Sequence, residues 1–273
     1  VTFFFNLAFV ERPIGIFDSG IGGLTVAKAI SKHLPNERFI YFGDTAHLPY
    51  GDKSKDAILR YAKSISNFLM ANNCKSIVIA CNTASAISYE FLRDKYKGVI
   101  PVINVIDPII EAVVADGNHQ KIGLIATKTT VNSGVYHEKM ARRNPTIKME
   151  VLATPLLAPM IEEGFSKDKI SHTVIENYLS NPIFKDIDAL ILGCTHYVLI
   201  RDEINDFFKG KVKLYDSTDI VALKMKEIFK NEDLLSPKKT GDNHFYVSDI
   251  TSSFQESTSR FYGDNIKLEL LKL

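Results

Sequence analysis

The chain has 273 residues, 45% of them hydrophobic and 24% charged, the composition of an ordinary globular protein with room for one large or two medium domains. Its 33 Lys and Arg against 32 Asp and Glu give a net charge of +1 with no basic or acidic block, so neither nucleic acid nor an anionic membrane surface is an expected partner. Three cysteines, Cys74, Cys81 and Cys194, make neither a disulfide framework nor a zinc-ligand spacing; no metal is expected, and a reducing compartment, the cytoplasm, is.

Residues 1–10 are apolar like the core of a signal peptide, yet they lack a positive n-region and a small-residue cleavage site. They are also too short to cross a bilayer, so residues 1–12 read as an extension outside the fold. The first strand, 14–18, opens into Asp18-Ser19-Gly20-Ile21-Gly22-Gly23, after which Leu24, Ala27, Ile30 and Leu34 recur at helical spacing. This loop has neither G-x-G-x-x-G nor a lysine followed by Ser or Thr, which argues against a nucleotide. Its glycines are expected to let the backbone approach a small ligand, with Asp18 and Ser19 facing it. Asp18 can alternatively serve as a cap or turn residue.

A second strand, 39–42, leads through Asp44 to the turn Pro49-Tyr50-Gly51, suited to offering a tyrosine hydroxyl and a backbone N–H to an anion. From Ser54, a plausible N-cap, Ala57, Ile58, Tyr61, Ile65, Phe68 and Leu69 form a helix face. Cys74 follows in a polar connection without acid-base neighbours and reads as a bystander. The run Ser76-Ile77-Val78-Ile79-Ala80 is a strand ending at Cys81-Asn82-Thr83, with a helix expected over about 84–96 and a strand at 102–105. Asp107-Pro108 reads as an N-cap with proline at the first helical position.

The alternation then repeats. Strand 121–126 is followed by a polar loop, Lys128-Thr129-Thr130, a helix from about Val131, strand 148–152, and a segment 155–164 carrying Glu162 and Glu163. Two helices come next, before Ala189-Leu190-Ile191-Leu192-Gly193 delivers Cys194-Thr195-His196-Tyr197. A helix over about 199–208, a strand at 212–215, a helix at 218–230, a polar link at 231–242 and strands near 244–248 and 266–271 complete the chain. The expected fold class is α/β: two related α/β domains with mostly parallel central sheets facing across a cleft. The divisions are 1–106 with 219–273, the tail returning to the first domain, and 107–218.

Cys81 and Cys194 share a grammar: an apolar strand, a small residue, a thiol, then polar side chains. In open α/β sheets ligands bind beyond the carboxyl ends of the strands, so both thiols are placed to meet one. Four readings compete: buried structural cysteines; a redox pair, which needs Cα atoms within about 7 Å and leaves no room for a substrate; a Cys-His hydrolase, which needs only one thiol; and two-base proton transfer at a stereocentre. The last accounts for two thiols in matching company, with Asp18 assisting Cys81 and His196 assisting Cys194. Asn82, Thr83 and Thr195 would bind a carboxylate and stabilise the charge that develops on it. His196 can alternatively just hydrogen-bond a loop.

At these residues the sequence resembles the glutamate racemases. The motifs that carry the resemblance are Gly15-Ile16-Phe17-Asp18-Ser19-Gly20-Ile21-Gly22-Gly23-Leu24-Thr25-Val26, Asp44 with Pro49-Tyr50-Gly51, Ala80-Cys81-Asn82-Thr83-Ala84-Ser85-Ala86, and Leu192-Gly193-Cys194-Thr195-His196-Tyr197. The resemblance implies a cofactor-independent isomerase, usually a homodimer, that supplies D-glutamate for peptidoglycan. It implies Cys81 as the base acting on D-glutamate and Cys194 as the base acting on L-glutamate, with Asp18, His196 and Glu162 assisting; Glu163 is adjacent to the last. Ser19, Pro49, Tyr50, Gly51, Asn82, Thr83, Thr130 and Thr195 match the substrate-binding set, joined by Asp18, Cys81, Cys194 and His196. Val198 stands where the family usually has proline, and residues 1–12 have no counterpart. An aspartate or related racemase, or a two-lobed binding protein without chemistry, are the alternatives.

Overall fold

Two parallel sheets organise the computed structural model, which describes residues 8–263 and 266–273. Of the apolar N-terminal stretch, residues 1–7 lie outside the described residues, whereas 8–12, expected outside the fold, belong to it: Phe9 packs against the core, and the buried Val10 accepts from Lys75 and Ser236. The first sheet contains β1 (Ile14–Asp18), β2 (Phe39–Gly43), β3 (Ser76–Ile79), β4 (Val102–Asn104), β9 (His244–Val247) and β10 (Glu269–Leu270), in the order β10-β9-β2-β1-β3-β4. The second contains β5 (Lys121–Ala126), β6 (Lys148–Ala153), β7 (Ala189–Gly193) and β8 (Lys213–Tyr215), in the order β6-β5-β7-β8. All pairings are parallel. Strands β1, β2 and β7 are buried along their whole length, as continuous apolar runs in two-sided parallel sheets must be.

The two sheets repeat one arrangement: β2-β1-β3-β4 in the first matches β6-β5-β7-β8 in the second. In each, the chain leaves the leading strand to one side and returns on the other. The crevice between β1 and β3, and that between β5 and β7, is therefore a topological switch point where carboxyl-end loops diverge. Register places Phe17 beside Ile79 and Ala126 beside Gly193, so the residues that follow these strands emerge side by side. Apolar clusters pack α2 (Lys55–Ala71) and α3 (Asn82–Lys95) on the first sheet and α4 (Ile106–Asp116) and α6 (Val135–Arg143) on the second. A third cluster runs between the sheets, joining α1 (Leu24–His33) to Leu190, Leu192 and Tyr197. Among the described residues no helix is long and apolar enough to cross a membrane.

Several boundaries differ from the sequence reading, each for a local reason. Helix α3 begins at Asn82, because Cys81 itself is its N-cap. Helix α4 begins at Ile106, before Asp107-Pro108, because the Asn104 side chain accepts from the N–H groups of Ile106 and Asp107 at 2.8 Å. Lys128-Thr129-Thr130 is the first turn of α5 (Lys128–Ser133), capped by Thr127, and a left-handed Gly134 separates it from α6. The segment after β6 forms α7 (Leu157–Glu162); between it and β7 lie one α-helix, α8 (Lys169–Leu179), and a 3₁₀ turn at Pro182–Phe184. The helix after Cys194 is a 3₁₀ turn, Thr195–Ile200, followed by α9 (Arg201–Phe207). Helix α10 (Asp219–Asn231) matches its expectation, whereas α11 (Ser252–Tyr262) has no sequence-level counterpart and β10 is shorter than expected.

One buried ion pair ties the start of β3 to three distant segments. Lys75 Nζ pairs with Glu37 Oε2 and donates to Val10 O, to Leu234 O at 2.8 Å and to Ser236 Oγ at 3.0 Å. Glu37 also accepts from Ser236 N at 2.8 Å. Burial holds the Lys75 ammonium below its ordinary pKa despite Glu37. Removing one partner leaves an uncompensated buried charge, so Lys75→Met is expected to destabilise by about 3–5 kcal/mol. Urea unfolding should show most of that loss recovered when Glu37→Gln is added.

Candidate active site

The site forms where the carboxyl ends of both sheets converge. Beyond β3 the chain turns at Cys81, whose extended backbone makes it the N-cap of α3, and its Sγ accepts from Ala84 N at 3.4 Å. Ser19, beyond β1, lies with its Oγ 3.5 Å from Cys81 Sγ. Asp18, the last residue of β1, is fully buried behind them; its Oδ2 accepts from Gly20 N at 3.0 Å and its Oδ1 has no partner among the described residues. Burial raises the Asp18 pKa, outweighing the opposing pull of His196. Burial, then the Asp18 carboxylate, push the Cys81 thiol up to about 12, against the Ser19 hydroxyl and the Ala84 N–H. At neutral pH Cys81 is therefore a thiol, a proton donor.

The opposite wall is built differently. Cys194 leaves β7 into the 3₁₀ turn, and its Sγ lies 3.5 Å from His196 Nδ1. His196 Nε2 lies 2.8 Å from Glu162 Oε1 at the end of α7. The imidazole thus spans the thiol on its Nδ1 side and the Glu162 carboxyl on its Nε2 side. Burial disfavours the imidazolium, but Cys194 and Glu162 together hold its pKa well above the ordinary value. Phe261 packs edge-on at 5.3 Å from the ring, and Arg260 Nη2 donates to the Glu162 carbonyl at 3.0 Å, so α11 supports this arm from behind. Glu163 points to solvent.

The glycine-rich loop works otherwise than expected. A Cβ on Gly22 would stand 2.4 Å from His196 Cε1 and 2.6 Å from Thr195 Oγ1, and one on Gly23 would stand 2.6 Å from Asp18 Cβ. Ser19 faces the cleft, but Gly20, Gly22 and Gly23 do not line it. The missing side chain of Gly22 makes room for the other wall's histidine and threonine, and those of Gly23 and Gly20 for Asp18 and Leu48. Tyr50 differs too. It lines the cleft with Pro49 and Gly51, but its hydroxyl donates to Asp44 Oδ2 at 2.6 Å, leaving the loop backbone as the part able to meet an anion. Asp44 is held in turn by Ser248 and His47 at 2.8 Å each.

Asn82, Thr83, Thr195, His196, Glu162 and both thiols share this cleft. Asp18 and Thr130 stand one layer behind the lining. Thr130 belongs to a trio of hydroxyls: Thr83 Oγ1 is 2.8 Å from Thr127 Oγ1 and 3.1 Å from Thr130 Oγ1, and the last two are 3.0 Å apart. This trio bridges the two sheets, as does Thr129 Oγ1 donating to Gly51 O at 2.7 Å. Sequence reasoning missed Thr127, which lines the cleft as the first residue beyond β5; its position matches Ser19 beyond β1, a signal present in the repeat. Leu48, Ala158 and Pro159 also line the cleft and carried no chemical signal.

Comparison with known proteins agrees with this geometry. The profile of the Asp/Glu/Hydantoin racemase family matches residues 25–225. A glutamate racemase of Geobacter metallireducens is 40% identical over 256 residues, covering 93% of this chain and 94% of its own. One from Neisseria meningitidis is 41% identical over 265 residues, covering 96% and 97%. The crystal structure of glutamate racemase from Francisella tularensis in complex with D-glutamate superposes with a TM-score of 0.90 at 39% identity, covering 96% of this chain and 98% of that one. With two thiols in one cleft and this likeness over nearly its whole length, the chain belongs to the Asp/Glu/Hydantoin racemase family and is an amino-acid racemase.

Proposed function

We propose that this racemase interconverts L- and D-glutamate by moving the α-proton between two thiols, and that it supplies D-glutamate for peptidoglycan synthesis in the cytoplasm. The observation that carries the reading is the placement of Cys81 and Cys194 in one cleft at the ends of matching strands, with Asp18 fully buried behind the first and His196 Nδ1 3.5 Å from the second. Glutamate as substrate is supported by the relatives named above, one of which was solved with D-glutamate.

In this reading Cys194 removes the proton of L-glutamate and Cys81 returns one to the opposite face; D-glutamate reverses the roles. His196, with Glu162 behind it, drains and refills Cys194, and Asp18 does the same for Cys81. The carboxylate gains electron density when the α-proton leaves, so donors fixed beforehand stabilise the transition state: the Asn82 amide, the Thr83 and Thr195 hydroxyls, Ser19, and backbone groups of Pro49-Tyr50-Gly51. Thr130 braces Thr83. Both proton transfers are made by protein groups, so the reading includes no cofactor and no metal. It also takes the domains as 1–106 with 219–273 and 107–218, and the working form as a homodimer.

The test is incubation of reduced protein with L-glutamate in deuterated buffer, following optical rotation and loss of the α-proton signal together, with aspartate in parallel. Racemisation with deuterium in the product is expected from glutamate. Exchange from aspartate alone would move the substrate assignment, and inertness toward both would overturn the reading.

A further inference from the structure

Asn82 occupies the first turn of α3 and is 2% exposed. A buried primary amide can present either its carbonyl or its NH₂ to the cleft, and the two orientations differ by a half-turn of the side chain. For a carboxylate substrate the difference is decisive, since NH₂ donates to it and a carbonyl oxygen repels it. Nothing on α3 fixes the choice. The group that does lies across the seam: the Tyr136 hydroxyl, on α6 of the second sheet, donates to Asn82 Oδ1 at 2.6 Å. Asn82 Nδ2 is then buried without a partner among the described residues.

We propose that Tyr136 is a positioning residue for the racemisation, holding the Asn82 carbonyl from the second lobe so that its NH₂ group faces the substrate carboxylate. The ring suits this task because it is fixed. Tyr136 is 1% exposed and packs in the cluster of Ile106, Met140 and Ile191, so its hydroxyl cannot follow Asn82 if the amide turns. Burial, and then the charge of Cys194, raise its pKa, which keeps the hydroxyl a donor at working pH. Because the bond crosses between the sheets, the donor is aligned only when the two walls of the cleft are together. The inference rests on the reading of Asn82 as a substrate ligand.

Tyr136→Phe removes the hydroxyl and keeps the ring. Loss of one such hydrogen bond is expected to raise KM for both enantiomers roughly tenfold and to lower kcat with it, because the Asn82 amide also stabilises the charge that develops on the carboxylate, while the melting temperature falls by no more than a few degrees. Asn82→Ala should raise KM at least as far, and Tyr136→Phe added to Asn82→Ala should do nothing more, because there is no amide left to orient. Additive effects in the double variant, or a normal KM in Tyr136→Phe beside an impaired Asn82→Ala, would overturn the role of Tyr136 alone. A normal KM in Asn82→Ala would instead remove Asn82 from the substrate-binding set, and this inference with it.

Discussion

Cys81→Ala is expected to lower racemisation from either enantiomer by about 10³-fold while leaving one exchange reaction intact, because in the proposed mechanism each thiol serves one face of the substrate. With Cys194 still in place, L-glutamate can lose its α-proton; the proton escapes through His196, and deuterium returns to the same face without inversion. The mirror variant, Cys194→Ala, should exchange only D-glutamate. That second exchange should quicken as pH rises, because Cys81, pushed up to about 12, must first lose its proton to act as a base. The sign follows from burial: a thiol whose charged form is disfavoured gains thiolate only toward high pH. Proton NMR in deuterated buffer reads exchange, and chiral chromatography reads inversion. Exchange of both enantiomers by both variants would show that neither thiol is confined to one face.

Asp18→Asn should lower kcat by about 10²-fold, with a larger loss from D-glutamate than from L-glutamate. The side chain is fully buried, so only a group of the same shape leaves the wall standing, and asparagine keeps an oxygen for Gly20 N. What asparagine cannot do is take up a proton. Asp18 is suited to that task because burial raises its pKa, and its charge in turn raises that of Cys81. Two consequences follow in the variant: the Cys81 thiol becomes more acidic, and its proton loses the carrier the proposed mechanism gives it. Steady-state kinetics in both directions, with a melting curve as the control, separate the lost carrier from a damaged fold. An Asp18→Asn enzyme with unchanged kcat from D-glutamate would make Asp18 a purely structural buried acid.

The parts of this molecule that could be read from its sequence are those where burial dictates composition. β1, β2, β3, β5 and β7 were legible because a parallel strand covered on both faces is an unbroken apolar run, and the reactive residues stand where those runs stop. The repeat was legible for the same reason. What failed were several features decided by polar side chains, although Ser54 does cap α2 as read. Helix α11 buries Ser257 and Thr258 beside Phe261, so its inward face carries hydroxyls that hydrophobic periodicity does not register. Helices α4 and α5 begin earlier than read because Asn104 and Thr127 cap them, and a cap reveals itself only once the backbone has turned. Gly22 was assigned to a ligand because the residue it accommodates, His196, lies far along the chain. Tyr136 left no trace at all, since its meaning resides in an amide on the opposite lobe.

The two walls repeat one strand arrangement yet carry unlike chemistry: one thiol caps a 14-residue helix beside a buried acid, the other opens a 3₁₀ turn beside an imidazole and a carboxylate. A reaction between mirror images has an equilibrium constant of one, whatever the catalyst. Whichever enantiomer such a lopsided cleft turns over faster, it must therefore hold less tightly in the same proportion, so that kcat/KM is identical in the two directions at every pH. The asymmetry of the walls can surface only as a matched pair of differences, in kcat and in KM, and the direction in which the enzyme runs in the cell is set by which enantiomer is being consumed.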